Sequence, residues 1–228
     1  MRKLRVVSYN IHCGIGWDGR FNEQRILDVL KEIEPDVVAL QEVESRASGI
    51  DMLQWLAKGM DFHAVAGTTL LHADGHYGNG LLTRCPVIRS RLLDLSFGRR
   101  EPRGAISADL DCNGEPIRIV ATHLGLRPAE RREQVQLLLK LFRESPDDRA
   151  VLLGDLNEWF LWGRPLRRLH KYFTHTPSPA TFPSVMPVFA LDRLWTHPRA
   201  ILRGISVHAS PKARAASDHL PLVAELEF

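Results

Sequence analysis

The stretch VLLGDLNEWF (residues 151–160) begins like a buried strand and then changes character. Its first residues are apolar and β-branched or aliphatic, which is typical of a core strand. It then presents Asp155 and Asn157, separated by one leucine and followed by aromatic residues. In an extended segment residues i and i+2 share a face, so we predict that the strand persists through Leu156 and points both polar side chains the same way. A strand that holds two such groups rigidly indicates a functional site at its end.

Other apolar strand candidates also end on polar side chains that a core strand does not need. LRVVSYNI, DVVALQEV, IRIVATHL and FALDRLWT carry Asn10, Glu42, His123 and Asp192. A further pair, Asp218 and His219 in ASDHLPL, precedes the last strand candidate. One carboxylate at a strand end is usually a cap or a surface charge. The joint occurrence of these residues instead predicts a shared site.

Two segments show apolar residues at helical spacing. In NEQRILDVLKEIEP (residues 22–35) Asn22 is suited to the N-cap position and Pro35 stops the run. PAERREQVQLLLKLFRES (residues 128–145) begins with a proline, which a first helical turn tolerates. Many strands with few helices predict an α/β (α+β) fold in which two mixed β-sheets pack face to face under outer helices.

The composition is that of a globular protein. The chain has 228 residues, of which 44% are hydrophobic and 25% charged, and no repeat or linker divides it, so we expect a single domain over residues 1–228. The net charge of +3 does not by itself indicate a nucleic-acid partner.

The expected location is the cytoplasm. Cys13, Cys85 and Cys112 cannot all pair and lack metal-ligand spacing, so we expect three reduced thiols. The N-terminus MRKLRVVSYN reaches polar residues before an export signal can form. No apolar run approaches the ~18 residues that span a bilayer, so we expect no stable membrane insertion.

The donor types indicate the chemistry of the site. Oxygen ligands without thiolates suit Mg²⁺, with Mn²⁺ as an alternative. Two histidines among carboxylates suit proton transfer to or from a phosphoester oxygen.

The motifs VVSYNIH, VALQEVE, GNGLLTRCPV, PRGAISADL, VATHLG, LLGDLNEW, LDRLW and SDHLPL extend in this order across nearly the whole chain. Together they resemble the endonuclease/exonuclease/phosphatase superfamily, which includes deoxyribonuclease I, abasic-site endonucleases, sphingomyelinases and inositol polyphosphate 5-phosphatases. The resemblance implies a four-layered α/β sandwich of the deoxyribonuclease I type.

The resemblance also implies residue roles. Glu42 matches the metal-binding carboxylate, with Asn10 and Asp218 near the metal. Asp155 matches the group that orients or deprotonates water, and Asn157 an amide that donates to phosphate. His219 matches the catalytic histidine and Asp192 its carboxylate partner. Arg103 in EPRGA and Asn79 in GNGLL are candidates for binding the substrate phosphate, since a guanidinium suits bidentate contact with phosphate.

His123 distinguishes between branches of the family. The abasic-site endonucleases place a tyrosine at this strand end, whereas deoxyribonuclease I and the sphingomyelinases place a histidine. THLG therefore argues against the abasic-site branch. An imidazole can protonate a leaving alkoxide near neutral pH more readily than a phenol with a pKa near ~10.

The implied function is that of a Mg²⁺-dependent phosphoester hydrolase. We expect a monomeric phosphodiesterase, either a nuclease or a hydrolase of phospholipids or small diesters, that acts by in-line attack of water. A phosphomonoesterase of the inositol-phosphatase type is the alternative, and a non-catalytic binding module is the alternative from another class. The segment EWFLWGRPLRRLHKYF (residues 158–173) leaves three interpretations open: stacking on nucleobases, insertion at a membrane surface, or packing beneath the sheet.

Overall fold

The computed structural model describes residues 3–45, 50–72, 75–144 and 149–228. Its first β-sheet has six strands: β1 Lys3–Asn10, β2 Val37–Ser45, β3 His63–His72, β4 Gly75–Thr83, β10 Leu202–Val207 and β11 Leu222–Glu227. Their order in the sheet is β10-β11-β1-β2-β4-β3. The pairing of β1 with β2 is parallel and the others are antiparallel.

The second sheet has five strands: β5 Val87–Asp94, β6 Gly104–Asp111, β7 Pro116–His123, β8 Ala150–Asp155 and β9 Asp192–His197. They lie in chain order, and only the pairing of β7 with β8 is parallel. Both sheets are therefore mixed, which confirms the prediction of two mixed β-sheets.

Five helices cover the outer faces of the sheets: α1 Glu23–Ile33, α2 Met52–Met60, α3 Pro128–Glu144, α4 Arg164–Phe173 and α5 Pro211–Ala216. Apolar residues of α1, α2 and α5 pack on the first sheet, and those of α3 and α4 pack on the second. Two 3₁₀ turns complete the described elements, at His12–Gly14 and Arg199–Ile201.

The inner core lies between the two sheets and follows from strand alternation. In β1, Leu4 and Val6 face the other sheet, whereas Val7 and Tyr9 face α1 and α5. Strand β1 is thus buried on both sides. Each fully buried aliphatic side chain contributes about 1.5–3 kcal/mol to stability. The layers run helix, sheet, sheet, helix, which confirms the predicted four-layered sandwich.

Several elements were not predicted from the sequence. These are strands β3, β5 and β10 and helices α2, α4 and α5. The predicted α1 is confirmed, because the Asn22 side chain accepts a hydrogen bond from the Gln24 backbone N–H. The helix ends at Ile33, and the C-cap residue Glu34 adopts a left-handed conformation directly before Pro35.

The expectation of three reduced thiols is wrong for two of the cysteines. Cys85 and Cys112 form a disulfide, with their Cα atoms 5.0 Å apart. The sandwich brings the segment after β4 against the turn that joins β6 to β7, and both cysteines belong to the core between the sheets. Disulfides persist mainly in oxidising compartments, so the cysteines no longer support the predicted cytoplasmic location. Among the described residues, no helix is long and apolar enough to cross a membrane.

Strand pairing determines where the predicted site residues lie. In the parallel pair β7 and β8, His123 is the partner of Asp155, and in the antiparallel pair β8 and β9, Asp155 is the partner of Asp192. One edge of the second sheet therefore carries three polar side chains side by side.

Gly154 is the residue that allows this close pairing. Its φ is +147°, and a Cβ at this position would collide with the Thr122 backbone carbonyl. We expect Gly154→Ala to destabilise the protein by more than about 1 kcal/mol, because the alanine adds both conformational strain and a backbone clash. Gly204→Ala is the matched control, since a Cβ there meets open space. Urea unfolding would measure both variants, and equal midpoints would contradict this account.

Candidate active site

The predicted site residues converge where the two sheets meet at one edge. Asn10, the last residue of β1 in the first sheet, donates from Nδ2 to Glu42 Oε1 at 3.0 Å and to Asp155 Oδ2 at 3.1 Å. The second of these bonds joins the two sheets directly. The backbone of Asn10 is held in place by Ser217, because the Ser217 hydroxyl donates to the Asn10 carbonyl at 2.8 Å.

Glu42 reaches this edge through an irregularity in β2. The register between β2 and β4 shifts between Leu40 and Val43, so that two residues oppose Asn79 alone. Glu42 has a φ of +56°, a left-handed conformation that non-glycine residues rarely adopt. β-bulges re-aim a side chain in this way and are frequent beside active sites.

Asp155 and Asn157 do converge, but not by the predicted strand geometry. The strand β8 ends at Asp155, Leu156 is buried, and Asn157 has a φ of +50°. The Asn157 backbone N–H donates to Asp155 Oδ1 at 2.8 Å. A carboxylate that accepts from the amide two residues on forms a tight local turn. The two side chains are therefore fixed by this turn rather than by a shared pleat.

Asp192 and His219 form a buried pair. His219 Nδ1 lies 2.8 Å from Asp192 Oδ2, and the Thr181 hydroxyl donates to the same oxygen. Asp192 begins β9 rather than ending a strand, and the antiparallel pairing still places it beside Asp155. His219 Nε2 then lies 3.7 Å from Asp155 Oδ2.

His123 approaches the same carboxylate oxygen from the other side. Its Nε2 lies 3.6 Å from Asp155 Oδ2, and the Asn157 amide nitrogen lies 3.0 Å from the same ring atom. Arg103 Nη1 donates to His123 Nδ1 at 3.1 Å.

The two histidines have opposite charge states. Burial, together with the neighbouring Arg103 and His219, lowers the pKa of His123 to about 3 despite the charge of Asp155. Burial also acts to lower the pKa of His219, but the charge and hydrogen bond of Asp192 and the charges of Asp155 and Asp218 outweigh it and raise the pKa to about 10. At neutral pH the site therefore contains one neutral and one cationic imidazole.

The remaining predicted residues lie around this centre. Arg103 is buried and also donates from Nη2 to Glu101 Oε2 at 3.0 Å. Asn79 is buried and donates to the Gly104 carbonyl at 3.0 Å, which ties β4 to the start of β6. Asp218 is half-buried and accepts from the Ser217 hydroxyl at 3.4 Å. Phosphate binding by Arg103 and Asn79 stays a prediction.

Sequence reasoning missed three residues of this site: His12, Thr181 and Ser217. His12 Nδ1 lies 3.9 Å from Asp218 Oδ1, and its backbone N–H donates to Asn10 Oδ1 at 3.0 Å. His12 could have been found, because it follows Asn10 in VVSYNIH. Ser217 could have been found in the same way, because it begins SDHLPL. Thr181 belongs to a loop without a periodic pattern, so no signal in the sequence indicates it.

The donor set fits a hard divalent cation. Burial and the charges of Asp155 and Asp218 raise the pKa of Glu42, although the hydrogen bond from Asn10 opposes the shift. This uncompensated negative charge is what a bound cation would relieve, and the ligands are carboxylate and amide oxygens. Asp155, Asp192 and His219 form a second group whose ligand atoms lie within 4.8 Å of one another. In that group Asp192 Oδ2 and His219 Nδ1 are already hydrogen-bonded to each other.

The sequence profile of the Endonuclease/Exonuclease/phosphatase family matches residues 7–219. The chain is 31% identical to the protein YbhP of Escherichia coli K12, over 99% of this chain and 96% of that protein. The chain therefore belongs to the endonuclease/exonuclease/phosphatase family.

Solved structures agree in fold. The endonuclease/exonuclease/phosphatase of Beutenbergia cavernae superposes with a TM-score of 0.83 at 24% identity, covering 100% of this chain and 72% of that one. The human Nocturnin catalytic domain superposes with a TM-score of 0.72 at 19% identity, covering 99% and 93%. This family comprises phosphoester hydrolases, which include phosphodiesterases and nucleases.

The raised pKa of His219 leads to a pH dependence of stability. The pKa is about 10 in the folded protein, against ~6.5 in an unfolded chain, so protonation stabilises the fold fully below pH ~6.5. That stabilisation is lost as the pH rises through about 10. We expect the metal-free protein to lose thermal stability between pH 7 and 10, and Asp192→Asn to lose less over the same interval. Melting curves in EDTA would test this, and parallel pH profiles for the two proteins would contradict it.

Proposed function

We propose that the chain is a Mg²⁺-dependent phosphodiesterase that hydrolyses its substrate by in-line attack of water. The observation that carries this proposal is the pair of imidazoles on one buried carboxylate oxygen. His123 Nε2 and His219 Nε2 lie 3.6 Å and 3.7 Å from Asp155 Oδ2, and their pKa values are shifted in opposite directions. Titratable groups whose environments separate their pKa values are typical of acid–base catalysis.

Asp155 is the proposed base. Its Oδ1 is occupied by the Asn157 backbone N–H, which leaves Oδ2 facing both histidines. In the proposed mechanism Oδ2 orients a water molecule and accepts its proton. The hydrogen bond from Asn10 holds that oxygen at a fixed position between the sheets.

The two histidines act differently on the phosphate. His219 is the proposed cationic group, which stabilises the negative charge that develops on the phosphoryl oxygens. The Asp192 carboxylate keeps this imidazole charged and oriented. His123 is neutral, and we propose that its Nε2 donates a hydrogen bond to the phosphate or the leaving oxygen when substrate is bound. Asn157 directs its amide to the same region.

A divalent cation would be held by Glu42, Asn10 and Asp218. When bound, Mg²⁺ or Mn²⁺ neutralises phosphate charge and stabilises the leaving oxygen. Arg103 is the proposed further contact to the substrate anion, because its Nε has no hydrogen-bond partner among the described residues. Asn79 lies opposite the β2 bulge that carries Glu42 and is the second candidate.

The roles of Glu42, Asp155 and His219 can be tested by substitution. We expect Glu42→Gln, Asp155→Asn and His219→Ala each to lower Mg²⁺-dependent hydrolysis of bis-p-nitrophenyl phosphate by about 1000-fold, the equivalent of several kcal/mol of lost transition-state stabilisation. Glu44→Gln is the matched control, since Glu44 lies two residues further along the same strand. Circular dichroism would check folding. Retained turnover in a folded variant would remove that residue from the mechanism.

The preference for diesters is tested separately. We expect bis-p-nitrophenyl phosphate to be hydrolysed faster than p-nitrophenyl phosphate, and EDTA to abolish both reactions. Faster hydrolysis of the monoester would favour the phosphomonoesterase alternative. No hydrolysis of either ester, together with no Mg²⁺ binding by calorimetry, would favour the binding module.

A further inference from the structure

Two neighbouring loops expose an unusual number of large apolar side chains. The first is the turn at residues 159–162, and the second is the tip at residues 185–189; together they are called the apolar rim below. Trp162 is 71% exposed and Met186 69%, and Trp159, Phe160, Leu161, Val185, Val188 and Phe189 are also exposed. Apolar clusters of this size at a protein surface mark interaction sites.

The apolar rim adjoins the candidate active site. The Trp159 ring contacts the rings of Phe182 and Phe189 at centroid distances of 5.8 Å and 4.8 Å. Phe182 in turn lies 4.9 Å from the imidazole of His219. A continuous aromatic path thus connects the exposed rim to the proposed cationic group of the site.

The first loop of the rim is anchored by a buried ion pair. Glu158, which directly precedes it, is 3% exposed and accepts from Arg131 Nε at 3.2 Å. The other Glu158 oxygen accepts from the Phe160 backbone N–H at 3.3 Å, and the Gly163 N–H closes the turn on the Phe160 carbonyl at 3.0 Å. This loop therefore presents its aromatic side chains from a fixed base.

The second loop is anchored just as firmly. Phe182 and Phe189 form a β-bridge at its base. Arg214 of α5 donates to the carbonyls of Ser184 and Val185 at 2.7 Å and 2.9 Å. Exposed apolar groups on two anchored loops cannot turn inward without breaking these bonds.

Neither the two loops of the rim nor helix α4 carries an acidic residue. Residues 159–191 contain no aspartate or glutamate. Helix α4, which follows the first loop directly, buries Leu166, Leu169 and Phe173 against the second sheet. Its four cationic residues, Arg164, Arg167, Arg168 and Lys171, are exposed. The partner of this face therefore has to accept apolar side chains and carry negative charge.

We propose that the apolar rim docks on the surface of a bilayer that contains anionic phospholipids, so that a phospholipid headgroup diester enters the site. Trp, Phe and Leu side chains beside Lys and Arg are the composition that lies in the interfacial region of a membrane. This inference rests on the proposed phosphodiesterase activity for its substrate. The docking itself does not depend on catalysis.

The aliphatic half of the rim favours a membrane over a nucleic acid. Aromatic rings could stack on bases, but Leu161, Val185, Met186 and Val188 have no planar face to offer. All of these side chains gain by transfer to acyl chains. A nucleic-acid surface would leave them in contact with water or phosphate.

The test is co-sedimentation with phosphatidylcholine vesicles that contain about 30% phosphatidylglycerol, in EDTA so that no turnover occurs. We expect the wild type to bind these vesicles, and the double variant Leu161→Ser/Trp162→Ser to bind at least about tenfold more weakly. Arg167→Gln/Arg168→Gln should weaken binding to the anionic vesicles and make it less sensitive to salt. Ile88→Ser is the matched control, since Ile88 is 59% exposed on β5 and lies outside the rim.

Two activity measurements separate this proposal from the previous one. With Mg²⁺, Leu161→Ser/Trp162→Ser should hydrolyse soluble bis-p-nitrophenyl phosphate like the wild type, and should lose activity on phospholipid in vesicles. Absence of all diester hydrolysis in the wild type would overturn the phosphodiesterase, while vesicle binding would still support docking.

The docking proposal would be overturned by any of three results in EDTA. The first is that the wild type does not bind the vesicles. The second is that Leu161→Ser/Trp162→Ser binds the vesicles as tightly as the wild type. The third is that this variant loses binding to a single-stranded oligonucleotide while its vesicle binding is unchanged. Circular dichroism and melting curves of each variant would verify that the fold is intact.

Discussion

The hydrogen bond from Asn10 to Asp155 is the contact on which the site depends, because it joins the ends of strands from two different sheets. Neither sheet alone assembles the site: the first contributes Asn10 and Glu42, and the second contributes His123, Asp155 and Asp192. Burying a carboxylate is costly unless hydrogen bonds and charges compensate it. Asp155 is almost fully buried, and its oxygens accept from Asn10 and Asn157 and face two imidazoles. The site therefore forms only when the two sheets are packed together.

The same carboxylate lies near two histidines that differ in charge because their outer partners differ. His123 faces a guanidinium on its far side, and His219 faces a carboxylate. Arg103 was predicted as a phosphate contact, and it also donates a hydrogen bond to His123 and helps to lower the pKa of that imidazole. One sheet edge thus positions a neutral and a cationic imidazole around a single carboxylate oxygen, and this arrangement supports the proposed phosphodiesterase mechanism.

The sequence predicted the layers of the sandwich and which polar residues lie together at its edge, but not how the side chains are aimed. Asn10, His123 and Asp155 were predictable because each is a polar residue at the end of an apolar run that is typical of a buried strand. Glu42 depends on a bulge, Asn157 on a left-handed turn, and Asp192 on the start of an antiparallel strand. These features arise from tertiary packing that no local pattern specifies. The Cys85–Cys112 disulfide was missed for the same reason, since the partners are 27 residues apart and meet only in the folded sandwich.

The most direct test of this account is the position of a divalent ion in crystals soaked with Mn²⁺, read from anomalous scattering. We predict a single strong peak coordinated by Glu42 on the side of Asn10 and Asp218, with metal–oxygen distances of about 2.0–2.2 Å. The Asp192–His219 hydrogen bond should remain intact. A peak between Asp155, Asp192 and His219 that displaces this bond, or no peak at either group, would contradict the proposed mechanism.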